Sequence, residues 1–157
     1  VCSSDLARLL LCGQGENFEQ SQQEAKALGI AEMVLFCGNV NRPEDYLQAM
    51  DVFVMTSLFE GLPIVGVEAQ ASGLPCIFAD TITQEVKILP QTQFLALTQP
   101  DEAWAERIVQ TKPMERSLAG HCVESAGFAE ENLDRQVCAL YGMEEHHFAN
   151  ISGRDHL

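Results

Sequence analysis

Residues 56–80 read TSLFEGLPIVGVEAQASGLPCIFAD, and their order decides the fold. An apolar strand ends at Thr56. A short loop carries Ser57, Glu60 and Gly61, and a helix begins near Leu62-Pro63 and continues to Ala71. Proline suits a first helical turn because the N–H it lacks would have no helical partner there. Residues 75–79 (PCIFA) follow as the next apolar strand. In a doubly wound sheet, ligands bind outside the carboxyl ends of the strands. A helix that starts at that edge can hold phosphate with its unpaired N–H groups and its dipole.

The same alternation extends in both directions. Residues 7–12 (ARLLLC) read as a buried strand ended by Gly13-Gln14-Gly15. Residues 16–28 read as a helix with Phe18, Ala25 and Leu28 on its apolar face and Gly29 as its stop. Residues 33–37 (MVLFC) form another strand, closed by Gly38-Asn39. Arg42-Pro43-Glu44-Asp45 opens a short helix whose Tyr46, Leu47 and Met50 face inward, and residues 51–56 (DVFVMT) are the strand that leads into the opening stretch. A fifth strand is expected over 94–97. Pro100-Asp101-Glu102 starts a helix carrying Ala103, Trp104, Ile108 and Val109 at helical spacing, with Trp104 packing helix to sheet. Residues 115–141 read as one or two further helices. Strands this apolar, separated by helices, imply an α/β fold, a Rossmann-like doubly wound parallel sheet covered on both faces.

Composition removes several function classes. The chain has 157 residues, and its formal net charge of −14 comes with only nine scattered Lys and Arg. Nucleic-acid binding needs clustered cations to displace phosphate counterions, so no nucleic-acid partner is expected. No apolar run approaches the roughly 18 residues that a membrane helix needs. The six cysteines, at 2, 12, 37, 76, 122 and 138, form no Cys-x-x-Cys pair. They read as reduced thiols in a cytoplasmic compartment, with Cys12, Cys37 and Cys76 small and buried in apolar runs. His146 and His147 are adjacent, and adjacent residues do not share a helix face, so no metal site is read there.

Glu60 and Glu68 are separated by seven residues, one in the loop and one about a turn and a half into the helix. Two carboxylates so placed can accept hydrogen bonds from vicinal hydroxyls at opposite ends of an extended ligand. Taken alone, they could equally be a helix-dipole glutamate and an unrelated surface glutamate.

The ordered set Ser57-x-x-Glu60-Gly61-x-Pro63, Glu68-Ala69 and Gly73-x-Pro75 resembles the Glu-x7-Glu signature of the large retaining glycosyltransferase family with the GT-B fold. Leu9 to Gly15 (LLLCGQG), Val34 to Gly38 (VLFCG) and Met50 to Val54 (MDVFV) resemble that family's neighbouring strands, so the likeness runs from about residue 7 to 110. The wording around Glu68-Ala69-Gln70, Gly73-Leu74-Pro75-Cys76 and Asp80-Thr81-Ile82-Thr83 further resembles bacterial enzymes of exopolysaccharide and capsule assembly. The resemblance implies a nucleotide-sugar-binding domain over 1–143, the C-terminal half of a GT-B enzyme, with a loosely held tail over 144–157. It implies that Glu60, the catalytic candidate, contacts donor-sugar hydroxyls and Glu68 the ribose. Gly61, Leu62 and Pro63 would lie beside the diphosphate, Ser57 would be a further substrate-binding residue, Gly13 and Gly15 would let the backbone approach the donor, and Gly38, Asn39 and Val40 would flank the base. The donor is expected to be a nucleotide diphosphate sugar, UDP-linked by family frequency, the acceptor a glycan or lipid-linked glycan, and no bound metal or cofactor is expected. The parent enzyme would be cytoplasmic, peripheral at the inner membrane face.

Two departures from the family pattern shape the expectation. The family carries an Arg and a Lys after the first strand of this domain, where they hold the diphosphate. That strand should precede Ala7, and neither Arg8, read inside a strand, nor Lys26, read on a helix, replaces them by position. The N-terminal acceptor domain should come earlier still. The sequence therefore resembles most of one domain of a two-domain enzyme. With the first strand missing, residues 7–12 and 51–56 would flank a gap, each with an unpaired edge. Such a fragment is expected to be marginally stable, self-associating and inactive. The alternatives are a non-catalytic nucleotide-sugar-binding or regulatory domain, and a generic receiver-like module. A receiver usually has an acidic cluster after its first strand, and none follows residues 7–12. Asp80 and Thr81 read as helix-capping residues with a possible part in the donor site. Thiol titration in denaturant without reductant should count six free cysteines, and a native disulfide would overturn the cytoplasmic assignment.

Overall fold

The computed structural model describes residues 7–112 and 115–128, and they form an α/β fold whose strands all pair in parallel. The chain divides into two compact units between Tyr46 and Leu47. The tail, the second half of the helical segment read over 115–141, Cys2, Cys138 and the last three histidines lie outside the described residues.

In the first unit, strand β1 (Leu9–Cys12) pairs with β2 (Val34–Gly38), joined by helix α1 (Phe18–Ala27) and a 3-10 turn at Ala31–Met33. The register runs Leu9 to Val34, Leu10 to Leu35 and Leu11 to Phe36, then slips so that Cys12 faces Gly38. Helix α1 packs Phe18 edge-on against Phe36, with ring centroids 5.6 Å apart, and buries Ala25. Gly29, at φ +73°, ends the helix as read, because a residue without Cβ enters that left-handed turn freely. Two expectations fail here. Residues 9–12 are not a buried strand: Leu9 stays 50% exposed. Leu28 is exposed too, rather than on a packed face. A two-stranded sheet with one short helix is too small to cover all its leucines. Leu9, Leu11, Leu28, Ile30, Val34 and Phe36 instead line an open apolar cleft in this unit.

The second unit holds the core. Strands β3 (Phe53–Met55), β4 (Cys76–Ala79) and β5 (Gln93–Leu95) lie in the order β3-β4-β5. Every residue of the central strand β4 is buried, as expected of a strand covered on both faces. Helix α3 (Ile64–Ala71) crosses from β3 to β4 and lies close on the sheet. Gly66 permits that closeness: a Cβ there would stand 2.9 Å from ring atoms of Phe78. Phe78 is itself flanked by Phe53 and Phe94, with centroids 6.1 Å and 5.8 Å away. Helix α2 (Pro43–Ala49) delivers Leu47 to this core, with Met50 packed beside it as read. Arg42 braces the start of α2 by ion pairs to Glu44 and Asp45, at 3.1 Å and 3.2 Å.

Helix α4 (Asp101–Gln110) packs Trp104 against the core as expected, but Val109 faces solvent. Helix α5 (Arg116–Val123) runs on into a π turn at Glu124–Phe128, and its Ala119 and Val123 are buried. Arg116 fastens α5 by donating to the Gln48 carbonyl at 2.9 Å, the Gln48 side chain and the Met50 carbonyl at 3.2 Å. Its backbone and side chain also crowd the space above Gly73, which turns at φ +77° after α3. Among the described residues β1 pairs only with β2, and β3 only with β4, along its other strand-pairing edge nothing.

The cysteine expectation holds in part. Cys12, Cys37, Cys76 and Cys122 are free thiols. Cys76 is fully buried, but Cys12 is exposed and Cys37 half-buried, because the first unit does not close over β1. Burial pushes the Cys76 thiol up to about 12 from an ordinary 9.0. A raised folded value means that its stabilising share is intact below pH 9 and is lost as pH climbs toward 12, because the unfolded chain releases the proton first. The unfolding free energy should therefore fall over that window by up to about 1.4 kcal/mol per pH unit. Urea titrations of the wild type and of Cys76→Ala should differ in that slope, the variant being flatter.

Candidate functional site

The site residues that the sequence singles out fall in two groups, one in each unit. In the first unit, Gly13 and Gly38 meet at the carboxyl ends of β1 and β2, where the Gly13 N–H donates to the Gly38 carbonyl at 2.7 Å. Both have positive φ, +130° and +62°, so the two tight exits from the strands require glycine. Nothing lies within 4 Å of where a Cβ would stand on Gly13, Gly15 or Gly38, so the backbone is open to approach there. Asn39 is exposed and Val40 half-buried just beyond. Arg8 lies ahead of β1 rather than inside it, and Lys26 is on α1 as read.

In the second unit, Ser57, Glu60, Gly61, Leu62, Pro63 and Glu68 line the path from β3 into α3. Pro63 takes an extended conformation, with ψ 106°, and caps the helix instead of forming its first turn. Its carbonyl accepts from the Gly66 and Val67 N–H groups at 2.9 Å and 3.3 Å. The N–H groups of Ile64 and Val65 lie too early in the helix to reach an intrahelical acceptor and belong to its free end. Glu68 is exposed on α3, and Glu60 is half-buried in the loop. At the crest of that loop Leu58 and Phe59 are each 83% exposed.

The loop is held from the side by the segment after β4. Glu60 pairs with Ile82 in an isolated parallel bridge. The Thr81 hydroxyl donates to the Ser57 carbonyl at 2.7 Å. Thr81 is therefore not a helix cap; Thr83 does that work, accepting from the Glu85 N–H at the 3-10 turn Gln84–Val86. Asp80 is exposed, and its N–H donates to the Leu95 carbonyl at 3.1 Å.

Behind the loop sits a fully buried glutamine that the sequence reading passed over. Gln70 donates through its amide nitrogen to the Val86 carbonyl at 2.7 Å and the Gly66 carbonyl at 3.0 Å. Its amide oxygen accepts from the N–H groups of Ile88 and Leu89, at 3.0 Å and 2.9 Å, and from the Thr92 hydroxyl at 2.7 Å. Pro63, Gly66, Val67 and Gln70 recur at helical spacing and are all buried. A polar side chain on that apolar face was the available signal, because a buried amide must find partners.

No group of three His, Cys, Asp or Glu side chains gathers among the described residues as a metal site would. His121 instead faces Glu124 on the same helical run, 3.5 Å away.

Residues 3–120 match the family model described as "Glycosyl transferases group 1". The chain belongs to that family. It is 44% identical over 104 residues to the putative glycosyltransferase EpsF of Bacillus subtilis, covering 66% of this chain and 27% of that protein. It is 35% identical over 134 residues to the Vi polysaccharide biosynthesis protein VipC/TviE of Salmonella typhi, covering 80% of this chain and 22% of that one. It thus spans about a quarter of the length of these relatives. Among solved structures it is similar to the lipopolysaccharide outer core galactosyltransferase WaaB in its apo form, with a TM-score of 0.68 over 86% of this chain and 40% of that one, at 21% identity. WaaG, a glycosyltransferase involved in lipopolysaccharide biosynthesis, aligns at a TM-score of 0.58 over 93% of this chain and 38% of that one, at 20% identity. These likenesses give the GT-B fold, and the chain is a glycosyltransferase group 1 protein with relatives in polysaccharide biosynthesis.

Replacing Gln70 by leucine keeps the volume but leaves two N–H groups, a hydroxyl and a carbonyl buried without partners. Each such orphan costs about 1–3 kcal/mol, so Gln70→Leu should lose about 3 kcal/mol or more of stability. Urea denaturation of the full protein measures it; a loss under about 1 kcal/mol would mean that the network contributes little.

Proposed function

We propose that this chain is the donor-binding part of a retaining glycosyltransferase that moves a sugar from a nucleotide diphosphate sugar to a glycan or lipid-linked acceptor, in exopolysaccharide or capsule synthesis. One observation carries the reading: Glu60 lies in the loop between the carboxyl end of the parallel strand β3 and the start of α3, and Glu68 lies just over a turn into that helix. Glu68 is the candidate for the ribose hydroxyls and Glu60 for hydroxyls of the donor sugar. The diphosphate then lies by Gly61, Leu62 and Pro63, where the Ile64 and Val65 N–H groups and the helix dipole meet the charge that grows on the leaving group. Those dipoles are fixed before reaction, so they stabilise the transition state without reorganising. Gly13 and Gly15 serve the same donor by letting it approach the backbone, and Gly38, Asn39 and Val40 flank the base, uracil in this proposal. No metal is required in this scheme.

Further parts of the proposal rest on other features. Among the described residues β1 and β3 each pair on one side, so each has an edge that further chain can take up. The phosphate-holding Arg and Lys, and the acceptor domain, belong to such further chain. The free thiols fit a cytoplasmic enzyme, and no described helix is long and apolar enough to cross a membrane.

The two glutamates separate the reading from its rivals. In the full-length protein, Glu68→Ala should weaken UDP about ten- to a hundredfold, the worth of a charged hydrogen bond. Glu60→Gln should bind UDP nearly as the wild type does and lose turnover instead. Calorimetry with UDP, set beside turnover on a UDP-sugar, decides; the reverse ranking would exchange or remove the two roles.

A further inference from the structure

The loop that carries Glu60 belongs to no strand or helix, and its crest is exposed. A chain so placed would sample many conformations, and a carboxylate on it would meet a sugar only part of the time. Two ties hold it, and both come from the four residues after β4. The Thr81 hydroxyl holds the Ser57 carbonyl, and Ile82 pairs with Glu60 itself.

That segment is rigid for reasons unrelated to the loop. Ile82 is buried and its N–H donates to the Ala79 carbonyl at 3.1 Å, which fastens it to the end of the central strand. Val86 is buried, and its carbonyl is held by Gln70 from inside α3. The segment is thus anchored at both ends, and it fixes the loop at Ser57 and at Glu60. Helix α3 carries Glu68 and Gln70 two residues apart. The same amide network therefore references the Glu60 loop to the helix of Glu68.

We propose that Thr81 is a positioning residue for Glu60: its hydroxyl holds the loop in the register at which Glu60 meets the donor sugar. The inference rests on the reading of Glu60 as the sugar contact. Thr81 is exposed, so water can replace its hydroxyl without leaving a buried orphan. Loss of the bond should loosen the loop and leave the core intact. Valine keeps the branched shape and removes the hydroxyl; serine keeps the hydroxyl.

The experiment uses the full-length protein in three forms, wild type, Thr81→Val and Thr81→Ser. Amide hydrogen exchange is followed at residues 57–61, with the buried α3 amides of Val67, Ala69 and Gln70 as internal controls. Affinity is measured for UDP and for whichever of UDP-glucose, UDP-galactose and UDP-N-acetylglucosamine the wild type binds best. In Thr81→Val, exchange at 57–61 should rise about five- to tenfold, the worth of one neutral hydrogen bond, with the α3 amides unchanged. The preference for UDP-sugar over UDP should fall by a similar factor, while UDP affinity holds, and serine should restore both. Unchanged exchange at 57–61 would overturn the proposal. Faster exchange with an unchanged UDP-sugar preference would overturn the link to Glu60. A wild type that binds neither UDP nor any of the three sugars would overturn the donor-site reading, and with it the sugar-positioning role; exchange alone would then report whether Thr81 holds the loop.

Discussion

The side-chain amide of Gln70 makes five hydrogen bonds at the centre of the second unit, and the surrounding geometry follows from satisfying them. A primary amide offers two donors and one oxygen with two lone pairs. Here both donors and the oxygen are engaged, with no solvent reaching the group. The partners are main-chain groups of a stretch that forms no regular ladder, from Val86 to Leu89, together with Thr92. An irregular segment can be buried only if its N–H and C=O groups find acceptors and donors. Gln70 supplies them, and so lets the connecting stretch be buried and still lead into β5.

Position along α3 explains why one residue can do this. Gly66 removes the side chain that would hold the helix away from Phe78. The helix therefore settles close enough for a medium-length amide, one turn further on, to reach the 86–92 stretch. The Gly66 carbonyl also accepts from that amide, which prevents the side chain from swinging out. Burial of Val67 and Ala69 on the same helix adds apolar contact to the polar register. Glu60, the catalytic candidate, is half-buried beside this arrangement, and Glu68, the candidate for the ribose, is exposed on the helix.

Much of this was readable from residue order. The five strands, the helix that carries Glu68, the stop at Gly29 and the inward Leu47 all follow from apolar periodicity and turn residues, which are local signals. The start of α3 was read early because proline is tolerated both in a first turn and just ahead of it. Its observed ψ of 106° places it ahead. The exposure of Leu9 and Leu11 was not legible, because an apolar run says that a strand seeks cover and not whether nearby chain provides it. Gln70 and Thr92 were missed, and Thr81 was taken for a helix cap, for a different reason. Their partners lie 16 to 24 residues away, and although a glutamine on an apolar helix face signals that partners exist, one sequence does not say which they are. The roles assigned to Glu60, Glu68 and the glycines come from motif order, and the structure adds the elements on which each one stands.

The crowding of Arg116 over Gly73 has a bearing on how this sequence can drift. An alanine at 73 would need an unfavourable φ and would also meet the Arg116 backbone at 2.9 Å. The arginine cannot simply retreat, because its guanidinium is committed to Gln48 and Met50. Positions 48, 73 and 116 are widely spaced in the chain, yet a change at one alters which residues the other two tolerate. Mutational paths through this region should therefore be epistatic: glycine at 73 should persist in lineages that keep the arginine, and vary only where α5 has found another way to dock.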